Sequence, residues 1–235
     1  MKNIRLIALI VILAACSSGG SFSYKSQDPP YVSKTAFSQY IIVGDSIMDG
    51  SSDGELTTTS SLILLEENKS VVNISLSGQT MMGWGGKGGA EKDGVGGAIN
   101  YLTAHGRHIG TAVIIELGHN DWYISSSADD FFDSYIRFLK SIDNPDKRVS
   151  LFCVVPVAAK WDYEGRTNAN GMTYEELRAA VRKVAGTGLC HLVETSGWFT
   201  KEDVYNPLIM PDGLHLAAGG HRIYKDRLIL ELSKY

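Results

Sequence analysis

Five short apolar runs, Tyr40–Val43, Ser70–Ile74, Thr111–Leu117, Val149–Val155 and Leu189–Val193, recur along the chain with helix-like stretches between them. Each is of strand length and rich in β-branched residues, without the polar alternation of a half-exposed strand, and therefore reads as a strand covered on both faces. Between the runs the period changes. Phe131, Tyr135, Phe138 and Leu139 share one helical stripe over Phe131–Ile142. Thr173 and Glu176 have the spacing of a capping box ahead of Leu177, Val181 and Val184. Ile223, Leu228 and Ile229 lie among charges from Ala217 to Leu232, a closing amphipathic helix. Strands alternating with helices predict an α/β domain, a three-layer α/β/α sandwich around a five-stranded parallel sheet. Such sheets bind ligands beyond the carboxyl ends of their strands, so the residues directly after each run are the ones to read for chemistry.

Strand patterning starts near Tyr40, and what precedes it has a different composition. Lys2 and Arg5 lead into an apolar run from Leu6 to Leu13, too short to span a bilayer, and residues 1–15 read as a secretory signal. The run ends in Leu13-Ala14-Ala15-Cys16, which resembles the lipobox of bacterial lipoproteins and implies that Cys16 is lipidated. Ser17 then stands where inner-membrane lipoproteins of Gram-negative cells carry Asp, so the same resemblance implies outer-membrane sorting in such a host. Residues 16–39, with Ser17-Ser18-Gly19-Gly20-Ser21 and Pro29-Pro30, have the composition of a tether. The expectation is an exported domain, residues 40–235, held close to a membrane through its lipid; several acyl chains on one cysteine anchor it stably where one chain binds marginally.

The formal charge of −4, with no basic cluster, excludes a nucleic-acid partner that requires phosphate neutralisation. Without the leader the balance becomes 20 basic against 26 acidic residues, a surface that does not seek anionic lipid heads by charge. Cys153 and Cys190 lie in strand-like runs. Export permits a bridge between them, and burial suits two free thiols equally well, so no bridge is assumed.

Four segments after the runs carry chemistry. Gly44-Asp45-Ser46 with Gly50 follows the first, placing a hydroxyl at a strand end. Asn73 and Ser77-Gly78 follow the second; a glycine there can bring its N–H unhindered against a substrate oxygen. Gly118-His119-Asn120-Asp121 follows the third, with an uncharged amide able to donate to an oxyanion without competing as a nucleophile. Asp212-Gly213-Leu214-His215 sets a carboxylate one tight turn ahead of an imidazole, able to hold it in the tautomer that accepts a proton from serine. Each segment alone also suits a turn or a helix cap.

In this order and register, the four segments resemble the SGNH (GDSL-like) hydrolase family over the whole region from Tyr40 onward. The resemblance implies the flavodoxin-like fold of that family and an esterase with Ser46 as nucleophile, His215 as base and Asp212 as its orienting acid. It implies an oxyanion hole made by the N–H groups of Ser46 and Gly78 and the side chain of Asn120. No cofactor or metal is needed, and Asp45, Asp49, Asp53 and Asp121 lack the His or Cys pattern of a metal site. Asp45 and Asp121 read as loop-fixing hydrogen-bond acceptors.

His119, Trp84, Trp122 and Trp161 are candidate substrate contacts, the tryptophans because indoles in crevice-side loops stack on sugar rings. Glycine-rich Thr80–Gly97 and polar Ala158–Gly171 are long enough to serve as lids or pocket walls. The expected activity is removal of a short acyl group, acetyl above all, from a carbohydrate-like ester in the envelope or outside the cell. A lysophospholipase or thioesterase, an O-acyltransferase and a catalytically idle binding lipoprotein are the competing readings; the sequence sets no oligomeric state.

Overall fold

The computed structural model describes residues 35–50, 57–85, 99–100, 103–104, 110–124, 126–144 and 147–235. The proposed signal, Cys16 and most of the tether lie outside these residues, as does most of Thr80–Gly97.

Five parallel strands form one sheet: β1 (Gln39–Gly44), β2 (Ser70–Asn73), β3 (Thr111–Glu116), β4 (Val149–Val154) and β5 (His191–Val193), in the order β2-β1-β3-β4-β5. The register is continuous at the centre, with Ile41 beside Val113 and Val113 beside Leu151. The expected α/β sandwich is present. Alternate strand residues face opposite layers, because the side-chain period of a strand is two. Ile41, Val43, Val113, Ile115 and Leu151 pack with Phe131, Tyr135, Phe138, Leu177 and Val181 on one face. Tyr40, Ile42, Ile114, Phe152 and Val154 pack with Ile63, Tyr224, Leu228 and Leu232 on the other.

Among the described residues the helices are α1 (Ser46–Asp49), α2 (Thr59–Glu66), α3 (Met81–Gly85), α4 (His119–Tyr123), α5 (Ala128–Ser141), α6 (Lys160–Tyr163), α7 (Tyr174–Ala185), α8 (Lys201–Val204) and α9 (Ala218–Leu232). None of them is long and apolar enough to cross a membrane. The capping box before α7 is made reciprocally: the Glu176 N–H donates to Thr173 Oγ1 at 3.2 Å and the Thr173 N–H to Glu176 Oε2 at 2.7 Å. Helix α5 begins three residues before its apolar stripe, because Ser127 caps it and Asp129 and Asp130 form a polar first turn favoured by the helix dipole.

Three expectations change. β1, β3 and β4 are covered on both faces, whereas β2 and β5 are edge strands with exposed residues. β5 starts only at His191, because the turn after α7, with Gly188 at φ +77°, runs up to it. Cys153 and Cys190 are joined in a disulfide, with Cα atoms 5.9 Å apart, linking β4 to the residue just before β5.

The chain leaving β1 crosses to β2 on one side, and the chain leaving neighbouring β3 crosses to β4 on the other, so the connections from these two central strands run in opposite directions. That divergence opens a crevice beyond the carboxyl ends of β1 and β3, where Ser46 and Asn120 sit.

Candidate active site

β1 ends at Gly44, where a Cβ would lie 2.6 Å from Met48 Cβ; glycine is needed for α1 to fold back so closely. Asp45 caps α1, its Oδ1 accepting from the Ile47 N–H at 3.0 Å. Gly50, at φ +74°, closes the same turn with its N–H on the Ser46 carbonyl. Ser46 is therefore the first residue of a one-turn helix, and its N–H belongs to the helix-start groups without an intrahelical acceptor.

The Ser46 Oγ lies 2.9 Å from His215 Nε2, and His215 Nδ1 lies 2.6 Å from Asp212 Oδ2. The other Asp212 oxygen accepts from the N–H groups of Leu214 at 2.9 Å and His215 at 2.8 Å. With Nδ1–H donating to Asp212, Nε2 is left as the acceptor that faces the serine. Burial alone would push the Asp212 carboxyl up, but the hydrogen bonds from the His215 ring and from the two backbone N–H groups outweigh it and hold it below its ordinary range. The arrangement is a serine, base and ionised acid in linear sequence, able to take a proton from Oγ and stabilise the imidazolium that results.

Gly78 follows β2 at φ +79°, and no heavy atom beyond its chain neighbours lies within 4 Å of where a Cβ would be, so the space on that side is open. Asn120, the second residue of α4, donates through Nδ2 to the Gln79 carbonyl at 3.0 Å and to Asp45 Oδ2 at 3.3 Å. Its amide is thus already held, on one side by the segment that carries Gly78 and on the other by the cap of the serine helix. Asp45 is buried, and burial together with neighbouring Glu116 raises its carboxyl to about 7. Asp121 accepts from the N–H groups of Met81 at 2.8 Å and Met82 at 3.0 Å and so fastens α3. Both acids fix loops, as their positions imply.

The expected substrate contacts fare differently. His119 is buried beneath the crevice, its Nδ1 on the Tyr174 hydroxyl and its Nε2 3.2 Å from Glu116 Oε1. Burial pushes its imidazole down to about 4 and the Glu116 carboxyl up to about 8. Trp122 and Trp161 stack on each other, ring centroids 5.2 Å apart and planes within 12°, with the Trp122 N–H donating to the Met172 carbonyl. Both face the core, because Ala158–Gly171 folds inward through α6 instead of standing as an open lid; neither indole is free to stack on a sugar. The Trp84 side chain lies outside the described residues. Sequence reasoning missed Glu116, although Glu116 and His119 have the same three-residue spacing as Asp212 and His215. It also missed Lys160, whose ammonium donates to the Asp212 carbonyl at 2.8 Å.

A model of the GDSL-like Lipase/Acylhydrolase family matches residues 42–223. Among solved structures, a lipolytic protein of the G-D-S-L family from Veillonella parvula is similar with a TM-score of 0.63 at 12% identity, over 84% of this chain and 99% of that one. TesA is similar with a TM-score of 0.60 at 19% identity, over 83% and 97% of the two chains. The psychrotrophic esterase EstA from Pseudoalteromonas sp., in a structure inhibited by monoethylphosphonate, gives 0.56 at 17% identity over 84% and 97%. At these identities the likeness to solved structures is one of fold. No curated protein matches the chain in sequence.

Proposed function

Because the chain belongs to the GDSL-like lipase/acylhydrolase family and is a serine ester hydrolase, we propose that it removes a short acyl group, acetyl in the first instance, from a carbohydrate-like ester through an acyl-enzyme on Ser46. The observation that carries the mechanism is the chain of hydrogen bonds from Ser46 through His215 to Asp212. Ser46 attacks the carbonyl carbon while His215 Nε2 takes the Oγ proton. The tetrahedral oxyanion is held by the N–H groups of Ser46 and Gly78 and by Asn120 Nδ2, which exchanges its longer contact, the one to Asp45, for the substrate. His215 then gives its proton to the leaving alcohol as the C–O bond breaks. Water, deprotonated by His215, attacks the acyl-enzyme, and His215 returns that proton to Ser46 Oγ as its bond to the acyl carbon breaks, releasing the carboxylic acid.

The carbohydrate-like partner is supported by the exported address of the sequence. It no longer draws on the tryptophans, since Trp122 and Trp161 face inward. Export and lipid anchoring at Cys16, with the domain on an outer membrane in a Gram-negative host, belong to the same proposal. A Cys16→Ser variant is expected to leave the membrane fraction.

One observation favours a second reading. Leu76, which follows β2 and donates its N–H to the Gly44 carbonyl, is exposed, as are Tyr123 and Ile124 at the end of the helix that starts at His119. Apolar residues at such a rim suit a long acyl chain, as in a lysophospholipase or thioesterase.

Hydrolysis of p-nitrophenyl esters of graded chain length by the domain from Ser17 onward, beside its Ser46→Ala variant, decides between them. Rates highest on acetate and absent in the variant support the short-acyl esterase. A preference for long chains shifts the reading to lipids. A wild type inert to every ester, and unlabelled by a phosphonate, leaves an acyltransferase or an idle binding protein.

A further inference from the structure

Asp212 and His215 stand on a surface turn, with side chains 50% and 27% exposed. The hydrogen bonds from the Leu214 and His215 N–H groups to the Asp212 carboxylate, and from the Gly213 N–H to the Met210 carbonyl, are internal to that turn or close to it in sequence. They set its shape and leave open what holds it across from Ser46. Behind it, Ala217 donates to the Ile209 carbonyl and ties the turn to the preceding loop. Leu214 packs against the core, as do buried Leu216 and Met210 on either side of the turn, and from the β4 exit Lys160 adds the polar restraint.

Lys160 grips the turn in three ways. Its backbone N–H donates to the Gly213 carbonyl at 2.8 Å. Its ammonium donates to the Asp212 carbonyl at 2.8 Å. Its aliphatic stem lies against Gly213 so closely that a Cβ there would come within 3.0 Å of Lys160 Cβ and Cδ, at a φ of +79° that also favours glycine. The grip has a rigid base. Ala159 donates its N–H to Asp162 Oδ2 at 2.9 Å, and Asp162 is paired at 2.7 Å with the buried Arg178 of α7. Arg178 also donates to the Pro156 carbonyl at 3.0 Å and the Val157 carbonyl at 3.2 Å, so the segment bearing Lys160 is fastened to the core on both sides of the residue.

Building on the Ser46, His215 and Asp212 reading above, we propose that Lys160 is a positioning residue: through the Asp212 and Gly213 backbone it keeps His215 within hydrogen-bond reach of Ser46. The ammonium is suited to this because its acceptor is the carbonyl of the acid itself. A displacement of the turn on the order of 1 Å lengthens the Ser46–His215 contact and costs up to about a hundredfold in rate.

The test compares Lys160→Met, which keeps the stem and removes the donor, with Lys160→Arg, which restores a cationic donor. Each is assayed on p-nitrophenyl acetate and examined by proton NMR for the downfield Nδ1 proton of His215. The expected result for Lys160→Met is a kcat lowered about tenfold with KM within twofold, loss or broadening of the downfield proton, and an unchanged Tm; Lys160→Arg recovers most of the kcat and the resonance. A Lys160→Met protein with wild-type kcat and an intact resonance overturns the proposal. So does a loss of kcat that tracks a fall in Tm and is not rescued by Arg. A wild type inert to esters whose downfield proton is nonetheless lost in Lys160→Met upholds the positioning role and removes the hydrolase reading instead.

Discussion

The chain contains two carboxylate–histidine pairs with the same three-residue spacing, Glu116 with His119 and Asp212 with His215, and they have opposite chemistry. The first pair is 0% and 3% exposed, the second 50% and 27%. Inside, burial disfavours both charged forms, so the Glu116 carboxyl rises to about 8, the His119 imidazole falls to about 4, and the pair stays neutral against Tyr174. At the surface, hydrogen bonds outweigh a partial desolvation and keep Asp212 ionised, ready to compensate a proton arriving on His215. The lesson is that spacing makes a pair and environment makes it a base.

The two pairs differ most at their histidines. His215→Ala is expected to lower kcat on an activated ester by about 10⁴-fold or more, as for loss of any triad base. His119→Gln should keep kcat within about tenfold while lowering Tm, because it removes a buried hydrogen-bond partner. Stopped assays and thermal melts on the two variants side by side check this; equal losses of kcat would sink the distinction. The acids follow with a smaller effect: Asp212→Asn is expected to cost about 10²- to 10⁴-fold in kcat, since half-exposed Asp212 leaves water to replace part of its role, while Glu116→Gln costs little.

Asn120 stands between the two pairs, directly after His119 and bonded to the cap of the Ser46 helix. Asn120→Ala should reduce kcat about a hundredfold with little change in KM, the size expected for one oxyanion donor. A rise in KM without a fall in kcat would assign Asn120 to ground-state binding instead.

The smallest expected effect is on stability. Unfolded, Glu116 loses its proton near 4.5; folded, it keeps it to about 8. The native state therefore binds more protons in that interval, and its contribution to stability is full below about 4.5 and declines as pH rises toward 8. Asp45 acts in the same direction between its ordinary value of 3.8 and about 7, while His119 acts oppositely between about 4 and 6.5. Glu116→Gln, which resembles the protonated acid at every pH, should reduce the decline in Tm between pH 5 and 8. Parallel Tm curves for wild type and variant would mean that Glu116 is ionised in the folded protein.

Much of the molecule was legible before any coordinates. Apolar β-branched runs located all five strands, and Thr173 with Glu176 marked the start of α7, because these signals depend on residues close together in the chain. The four segments led to Ser46, Gly78, Asn120, Asp212 and His215, which lie at the carboxyl ends of strands or ahead of the last helix, and the structure brings Ser46, Asp212 and His215 into one hydrogen-bonded chain. The burial of His119, Trp122 and Trp161 was not legible, since a loop residue facing inward and one facing a crevice have the same local sequence; what turned them in was the packing of α6 and α7 against the sheet.

By itself, then, the sequence determined the α/β class, the strand positions and the family, and it singled out the residues proposed for the reaction, all from local patterning or from short motifs. Only the tertiary structure decided which of two identically spaced acid–histidine pairs is dry and neutral, that Cys153 reaches Cys190, and that Lys160 meets the Asp212 turn 52 residues away. The physical reason is common to these three: solvent exposure and contact between distant segments are properties of packing, and no window of neighbouring residues contains them.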